Sequence, residues 1–98
     1  MFEVSLHKDA EEELNAAALF YELSQSGLGE SFLNEVAACF ELLSEYPLVG
    51  VVVFEDYRRH LLSHFPFGVF YRIEDQRVLV LAIAHSRRRP GYWRDRVS

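Results

Sequence analysis

The run Phe65-Pro66-Phe67-Gly68-Val69-Phe70-Tyr71-Arg72-Ile73, followed by Glu74-Asp75-Gln76-Arg77 and then Val78-Leu79-Val80-Leu81-Ala82-Ile83-Ala84-His85, decides the fold. Two segments rich in β-branched and aromatic residues, separated by a short charged break, predict an antiparallel hairpin. The second segment has almost no polar residue on either face, so it reads as a central strand covered on both sides. At its exit the composition switches to His85-Ser86-Arg87-Arg88-Arg89-Pro90-Gly91-Tyr92-Trp93. The remaining chain must cover a strongly apolar strand and leave a use for an arginine cluster.

Upstream, Phe2-Glu3-Val4-Ser5-Leu6 alternates apolar and polar, which predicts a short strand with Phe2, Val4 and Leu6 inward. Asp9 and Glu12 have the spacing of a helix N-cap and its capping box, and acids fill the first turn, as the helix dipole favours. Ala10, Leu14, Ala17 and Tyr21 recur at helical spacing, giving a helix over about residues 9–24. Gly27 suits a helix end. A second helix over about residues 29–45 carries Phe32, Val36, Phe40 and Leu43 on one face, with Glu30, Asn34, Glu41 and Glu45 on the other. Pro47 stops it. So short a connection predicts an antiparallel helical hairpin. Val51-Val52-Val53-Phe54 has the composition of a strand but runs into Glu55-Asp56, so Tyr57–His64 reads as the second strand proper. A short helix or extended tail is expected over Pro90–Val97. The order gives an α+β sandwich: an N-terminal strand and a helical hairpin packed on one face of a mainly antiparallel sheet of about four strands. The other face is left for the tail or for a partner.

Composition narrows the function. A chain of 98 residues, half of them hydrophobic, is expected to form one globular domain over residues 1–98. Such a chain buries roughly 60–65% of its unfolded surface. Cys39 is the only cysteine, which rules out an internal disulfide and fits a reducing compartment. With no membrane-span pattern and no signal-peptide pattern at the N-terminus, the expected location is cytoplasmic, without membrane association. The net charge of −5 is unevenly spread. Residues 1–56 hold twelve acids against Lys8, whereas residues 57–98 hold nine arginines against Glu74, Asp75 and Asp95. Two readings follow: the C-terminal half meets an anionic partner, or the two halves pair with each other.

Site chemistry is sparse. His60 and His64 lie about 13 Å apart on a strand at ~3.3 Å per residue, and lack the Glu of a His-Glu-x-x-His helix, so no metal site is expected. Ser86 beside His85 has no strand–turn–helix nucleophile context, and Cys39 reads as core. No glycine-rich phosphate loop is present, and no cofactor is expected. Arg87, Arg88 and Arg89 cannot all be buried and so form the clearest exposed feature.

The ordered set of strand, two helices and three strands resembles the RelE/ParE toxin superfamily of bacterial type II toxin–antitoxin pairs. The resemblance is carried by Gly27-Leu28-Gly29 with Phe32, Pro47, Arg58-Arg59-His60-Leu61-Leu62, Phe65-Pro66-Phe67, Val69–Ile73, and Val78–His85 followed by Arg87-Arg88. The Phe-Pro-Phe strand and the His-Ser-Arg-Arg exit most resemble the ParE-like, plasmid-stabilisation branch. The resemblance implies a toxin neutralised by a cognate antitoxin in a hetero-oligomer. Three activities are compatible with it. A ParE-like toxin is not itself an enzyme and poisons DNA gyrase by holding its cleaved DNA complex; Arg87, Arg88, Arg89, Tyr92 and Trp93 would then contact the target or the antitoxin. A RelE-like toxin cleaves mRNA on the ribosome. There His85 and Tyr92 would handle protons while Arg59, Arg72 and Arg88 hold phosphate and its developing charge. The third possibility is an inactive member that binds only its antitoxin. Structural roles compete with each assignment: a hydrogen-bonded strand-end histidine for His85, pairing with Glu74 for Arg72, and packing of the tail for Tyr92 and Trp93. With a single lysine and a pI near 5.3, charge favours the gyrase reading, because an acidic helical half is repelled by ribosomal RNA.

Overall fold

The computed structural model describes residues 1–96 and bears out the α+β class. Strand β1 (Glu3–Leu6) leads into helices α1 (Lys8–Ser24) and α2 (Leu28–Glu45). Four strands follow, β2 (Val51–Phe54), β3 (Tyr57–Leu61), β4 (Phe67–Glu74) and β5 (Arg77–His85), and a 3-10 turn at Arg94–Arg96. Val97, the last residue of the expected tail, lies outside the described residues. The sheet has five strands in the order β1-β5-β4-β3-β2, where about four were expected.

The added strand is β2. Glu55-Asp56 does not interrupt it but turns it: Phe54 pairs with Tyr57, so the connection is a two-residue hairpin loop with Glu55 at φ 49°. Asp75, at φ 56°, opens the equivalent loop between β4 and β5. Tight hairpins that match strand twist need positive φ at this position. From β2 the chain meanders back through β3 and β4 to β5, which pairs in parallel with β1, Val4 against Val78 and Leu6 against Val80. The covered strand anticipated at residues 78–85 therefore lies between β1 and β4.

His7, not Asp9, caps α1: its Nδ1 accepts from the Asp9 N–H at 3.0 Å. Gly27, at φ 89°, begins α2 rather than ending α1. The glycine that matters for packing is Gly29, where a Cβ would lie 2.5 Å from the Ala18 carbonyl oxygen. It lets α2 approach α1 closely at Ala18.

The hairpin covers one face of the sheet. Phe32, Val36, Cys39 and Leu43 from α2 meet Val69, Tyr71, Val78, Val80 and Ile83. Each fully buried aliphatic or aromatic side chain here contributes roughly 1.5–3 kcal/mol. Tyr71 is wholly buried yet satisfied: its hydroxyl accepts from the Gly50 N–H at 2.9 Å and donates to the Pro47 carbonyl at 2.7 Å. Burial, with the nearby Glu35 charge, pushes the Cys39 thiol up to about 12, so it stays protonated and unreactive. Among the described residues, no helix is long and apolar enough to cross a membrane.

Candidate functional site

The opposite face of the sheet carries the arginines. A bulge decides which β5 residues point there. Phe70 pairs with Ala82 and Tyr71 with Val80, which leaves Leu81 unpaired. As a result Leu81 and Ala82 both pack on this second face, while Val80 and Ile83 keep to the helix side. Phe54, Tyr57, Phe70, Leu79 and Ala84 complete the patch.

The segment after β5 folds back over it. Trp93 is only 2% exposed, with its ring 5.1 Å from those of both Tyr57 and Phe70. The segment is held chiefly by one carboxylate on the far side of the sheet, with Asp9 a second at 3.7 Å from Arg96 Nε. Glu13 of α1 accepts the Tyr92 hydroxyl at 2.5 Å and both terminal nitrogens of Arg96 at 2.9 Å. It also accepts the Ile83 N–H at 3.1 Å, and Arg96 donates to the Leu81 carbonyl at 2.9 Å. β5 outruns β1, whose pairing ends at Val80, so these side chains satisfy backbone groups left open along the strand. Burial alone would push the Glu13 carboxyl up, but the hydrogen bonds from Arg96, Tyr92 and Ile83, with the Arg96 charge, hold it below its ordinary range. The Tyr92 hydroxyl is pushed up by burial and by its bond to Glu13.

Between this segment and the strands lies a groove of ≈ 400 Å³. Gly68, Phe70, Ala84 and Trp93 supply apolar lining, Val53, Phe54 and Leu61 flank it, and Arg59, Arg88, Arg89 and Arg94 bring cations. The nine arginines divide cleanly. Arg72 and Arg77 pair with Glu74, Arg96 pairs with Glu13, and Arg58 donates to the carbonyls of Leu48 and Gly50. Arg59, Arg87, Arg88, Arg89 and Arg94 make no ion pair with a carboxylate among the described residues, and four of these five line the groove. Pairing between the acidic and the basic half is seen at Arg96, which meets Glu13 and Asp9, whereas Arg72 and Arg77 pair within their own half.

The chain belongs to the ParE toxin family. Its sequence matches, over residues 4–90, the family described as the ParE toxin of the type II toxin–antitoxin system parDE. Among solved structures, a chain of the chromosomal ParDE system from P. aeruginosa shares this fold with a TM-score of 0.72 at 18% identity, covering 87% of this chain and 96% of that one. No curated protein matches.

Within this family fold, Arg59, His85, Arg88, Tyr92 and Trp93 come together around the groove, as does Arg89. Arg87 stands exposed beside it, and its N–H donates to His85 Nδ1 at 3.0 Å. Arg72 is not among the lining residues: it is tied to Glu74 and lies over the Tyr57 ring at 5.6 Å. His64 pairs with Glu35 at 3.0 Å rather than with His60. Sequence reasoning missed Glu13 and Arg94. For Arg94, the spacing of arginines after Trp93 was a usable signal; for Glu13, none of the neighbouring acids in α1 distinguished it.

Proposed function

We propose that this ParE-family chain is the toxin of a toxin–antitoxin pair and that it acts by binding DNA gyrase and holding its cleaved DNA complex. The observation that carries the reading is the sorting of the arginines: of the six with no carboxylate partner among the described residues, four line the groove. That is a surface made to meet an anionic or acidic target. Two of the groups a nuclease would need are already engaged. Tyr92 donates to Glu13, and Arg72 is paired outside the groove. The convergence of Arg59, His85, Arg88 and Tyr92 on one groove is what supports ribosome-dependent mRNA cleavage as the second reading.

Neutralisation by an antitoxin belongs to the same proposal. Leu19, Phe20 and Leu23 are 59, 65 and 78% exposed along α1, and Val51, Val52 and Val53 are exposed on the edge strand β2. Contiguous apolar positions of this kind invite a partner segment, as a helix against α1 or as an added strand. Such a complex is a cytoplasmic hetero-oligomer.

The experiment is pulse-labelling after induced expression in a bacterium, following DNA and protein synthesis separately. DNA synthesis failing first, with a DNA-damage response, is the expected result. Translation failing first would transfer the function to the nuclease reading and to Arg59, His85, Arg88 and Tyr92. Neither falling would leave an inactive partner of the antitoxin.

A further inference from the structure

The groove's lining says what kind of molecule fills it. We infer that its occupant is an acidic protein segment carrying a large apolar side chain, and not nucleic acid; this rests on the reading that the groove is the working surface.

Three observations converge. The first is the rim: Arg59, Arg88, Arg89 and Arg94 present guanidinium forks with no carboxylate partner among the described residues. Arg59 in addition keeps a buried Nε without a hydrogen-bond partner. A buried unpaired donor is costly, and Arg59 is thereby a cation that the chain's own groups do not fully satisfy.

The second is the lining between the cations. Gly68 faces the groove opposite Ala84, and with Phe70 and Trp93 these two leave an apolar recess rather than a polar track. A Cβ on Gly68 would come within 3.3 Å of both Arg59 Cγ and Phe70 Cε1 and 3.4 Å of Leu61 Cδ2. Arg59, Phe70 and Leu61 thus already close on the glycine, and any side chain at position 68 would push these groove-lining groups out of place. An apolar anchor seated in a pocket and ringed by charge-assisted contacts is how protein segments are gripped.

The third is what the aromatic rings are doing. Single-stranded nucleic acid is bound by stacking bases on open ring faces along a cationic path. Here Arg88 lies over the Tyr92 ring at 3.8 Å and Arg94 over Phe54 at 3.7 Å. Phe54 is stacked against Tyr57, and Trp93 is packed between Tyr57 and Phe70. The rings carry arginines or one another. The chain's net charge of −5, with its acids concentrated in the helical half, further opposes a polyphosphate.

Trp93, the only tryptophan, reports on the groove directly. The test titrates the whole chain with a nine-residue peptide of Asp and Glu around a central Phe. The comparison probes are the same peptide with Ser for Phe, the Lys-for-acid counterpart, and a twelve-nucleotide single strand. Tryptophan fluorescence and amide shifts at Gly68 and Ala84 are followed. The acidic Phe peptide is expected to saturate with a Kd below about 1 mM, to move both amides, and to weaken with salt. The Ser peptide should bind at least tenfold more weakly, and the Lys peptide not at all. Gly68→Val should lose the Phe peptide at least tenfold by displacing Arg59 and Phe70 from the groove lining. Arg94→Ala, which leaves the recess untouched, should weaken it severalfold and serves if Gly68→Val does not fold. Nucleic acid binding more tightly than the acidic peptide, no saturation by it, or shifts confined to other surfaces would overturn the inference. Failure of the peptide while DNA synthesis still arrests would remove this inference and leave the gyrase reading standing. Peptide binding by a chain that leaves DNA synthesis untouched would support the inference and remove that reading.

Discussion

The two faces of one sheet are closed in opposite ways. On the helix side, Val69, Tyr71, Val78 and Val80 are completely buried beneath α1 and α2, and among the described residues no charged one is buried with them. On the other side, the same strands offer Phe70, Leu79, Leu81, Ala82 and Ala84, and the cover is the short segment after β5. That segment is plugged by Trp93 and hung from Glu13. Two long helices seal a face permanently; a short strap around one aromatic residue closes a face only in part and leaves a cationic groove at its margin. Stability is invested in the first face and recognition in the second.

The sharpest way to break this contrast is to weaken each side in turn. Tyr71→Ala removes a fully buried ring and orphans the Gly50 N–H; it should cost about 3–5 kcal/mol, a large share of the roughly 5–15 kcal/mol a domain of this size has. Urea denaturation should show a chain barely folded at 37 °C. Trp93→Ala should cost less, about 3 kcal/mol at most, because the strap can detach without the helix side opening. The signature is local: trypsin should cut at Arg87 and Arg88 under conditions where the rest of the chain resists, whereas uniform digestion would mean the two faces are one cooperative unit.

Glu13→Gln sharpens the comparison further. It keeps the shape of the side chain and removes the charge that Arg96 and Tyr92 address, so it should cost roughly 1.5–3 kcal/mol. Strap opening should also become independent of acid. The Glu13 carboxyl is held below its ordinary value of 4.5 in the fold, so its contribution is complete above that value and is lost as pH falls through the depressed one. Strap opening read from hydrogen exchange at Trp93 and Arg96, corrected for the pH dependence of the intrinsic exchange rate, should therefore rise from pH 6 to pH 3 in the wild-type chain and be already high and nearly flat in Glu13→Gln. An equal rise in both would place the acid-sensitive group elsewhere, with Glu35 and Glu74, also held below the ordinary range, as the alternatives.

What the sequence disclosed follows the same division. The hairpin of β4 and β5, the first strand and both helices were legible because their signals are local: alternation, helical spacing, a proline after α2. The parallel pairing of β1 with β5 was not, since nothing near Val4 names Val78 as its neighbour. β2 was undervalued because Glu55-Asp56 looks like a polar interruption until the positive φ of Glu55 makes it a hairpin turn. At the site, the arginine run and the Tyr92-Trp93 pair stood out by composition. Glu13 did not, because its role depends on meeting Ile83, Tyr92 and Arg96 across 70 to 83 residues of chain. The alternation in Gly68, Phe70 and Arg72 did mark a face opposite to Val69, Tyr71 and Ile73, but which face received helices is a tertiary fact.

The smallest expected effect on stability goes with the largest on function. Arg88 is exposed and stacked on Tyr92 without a carboxylate partner among the described residues, so Arg88→Ala should change stability by no more than about 0.5 kcal/mol. The decisive measurement is growth arrest on induced expression, wild type against Arg88→Ala, with the unfolding midpoint of each purified chain measured alongside. Loss of arrest by a variant that unfolds at the wild-type midpoint is the expected result and puts the activity on the arginine groove. A variant that remains fully toxic would contradict it.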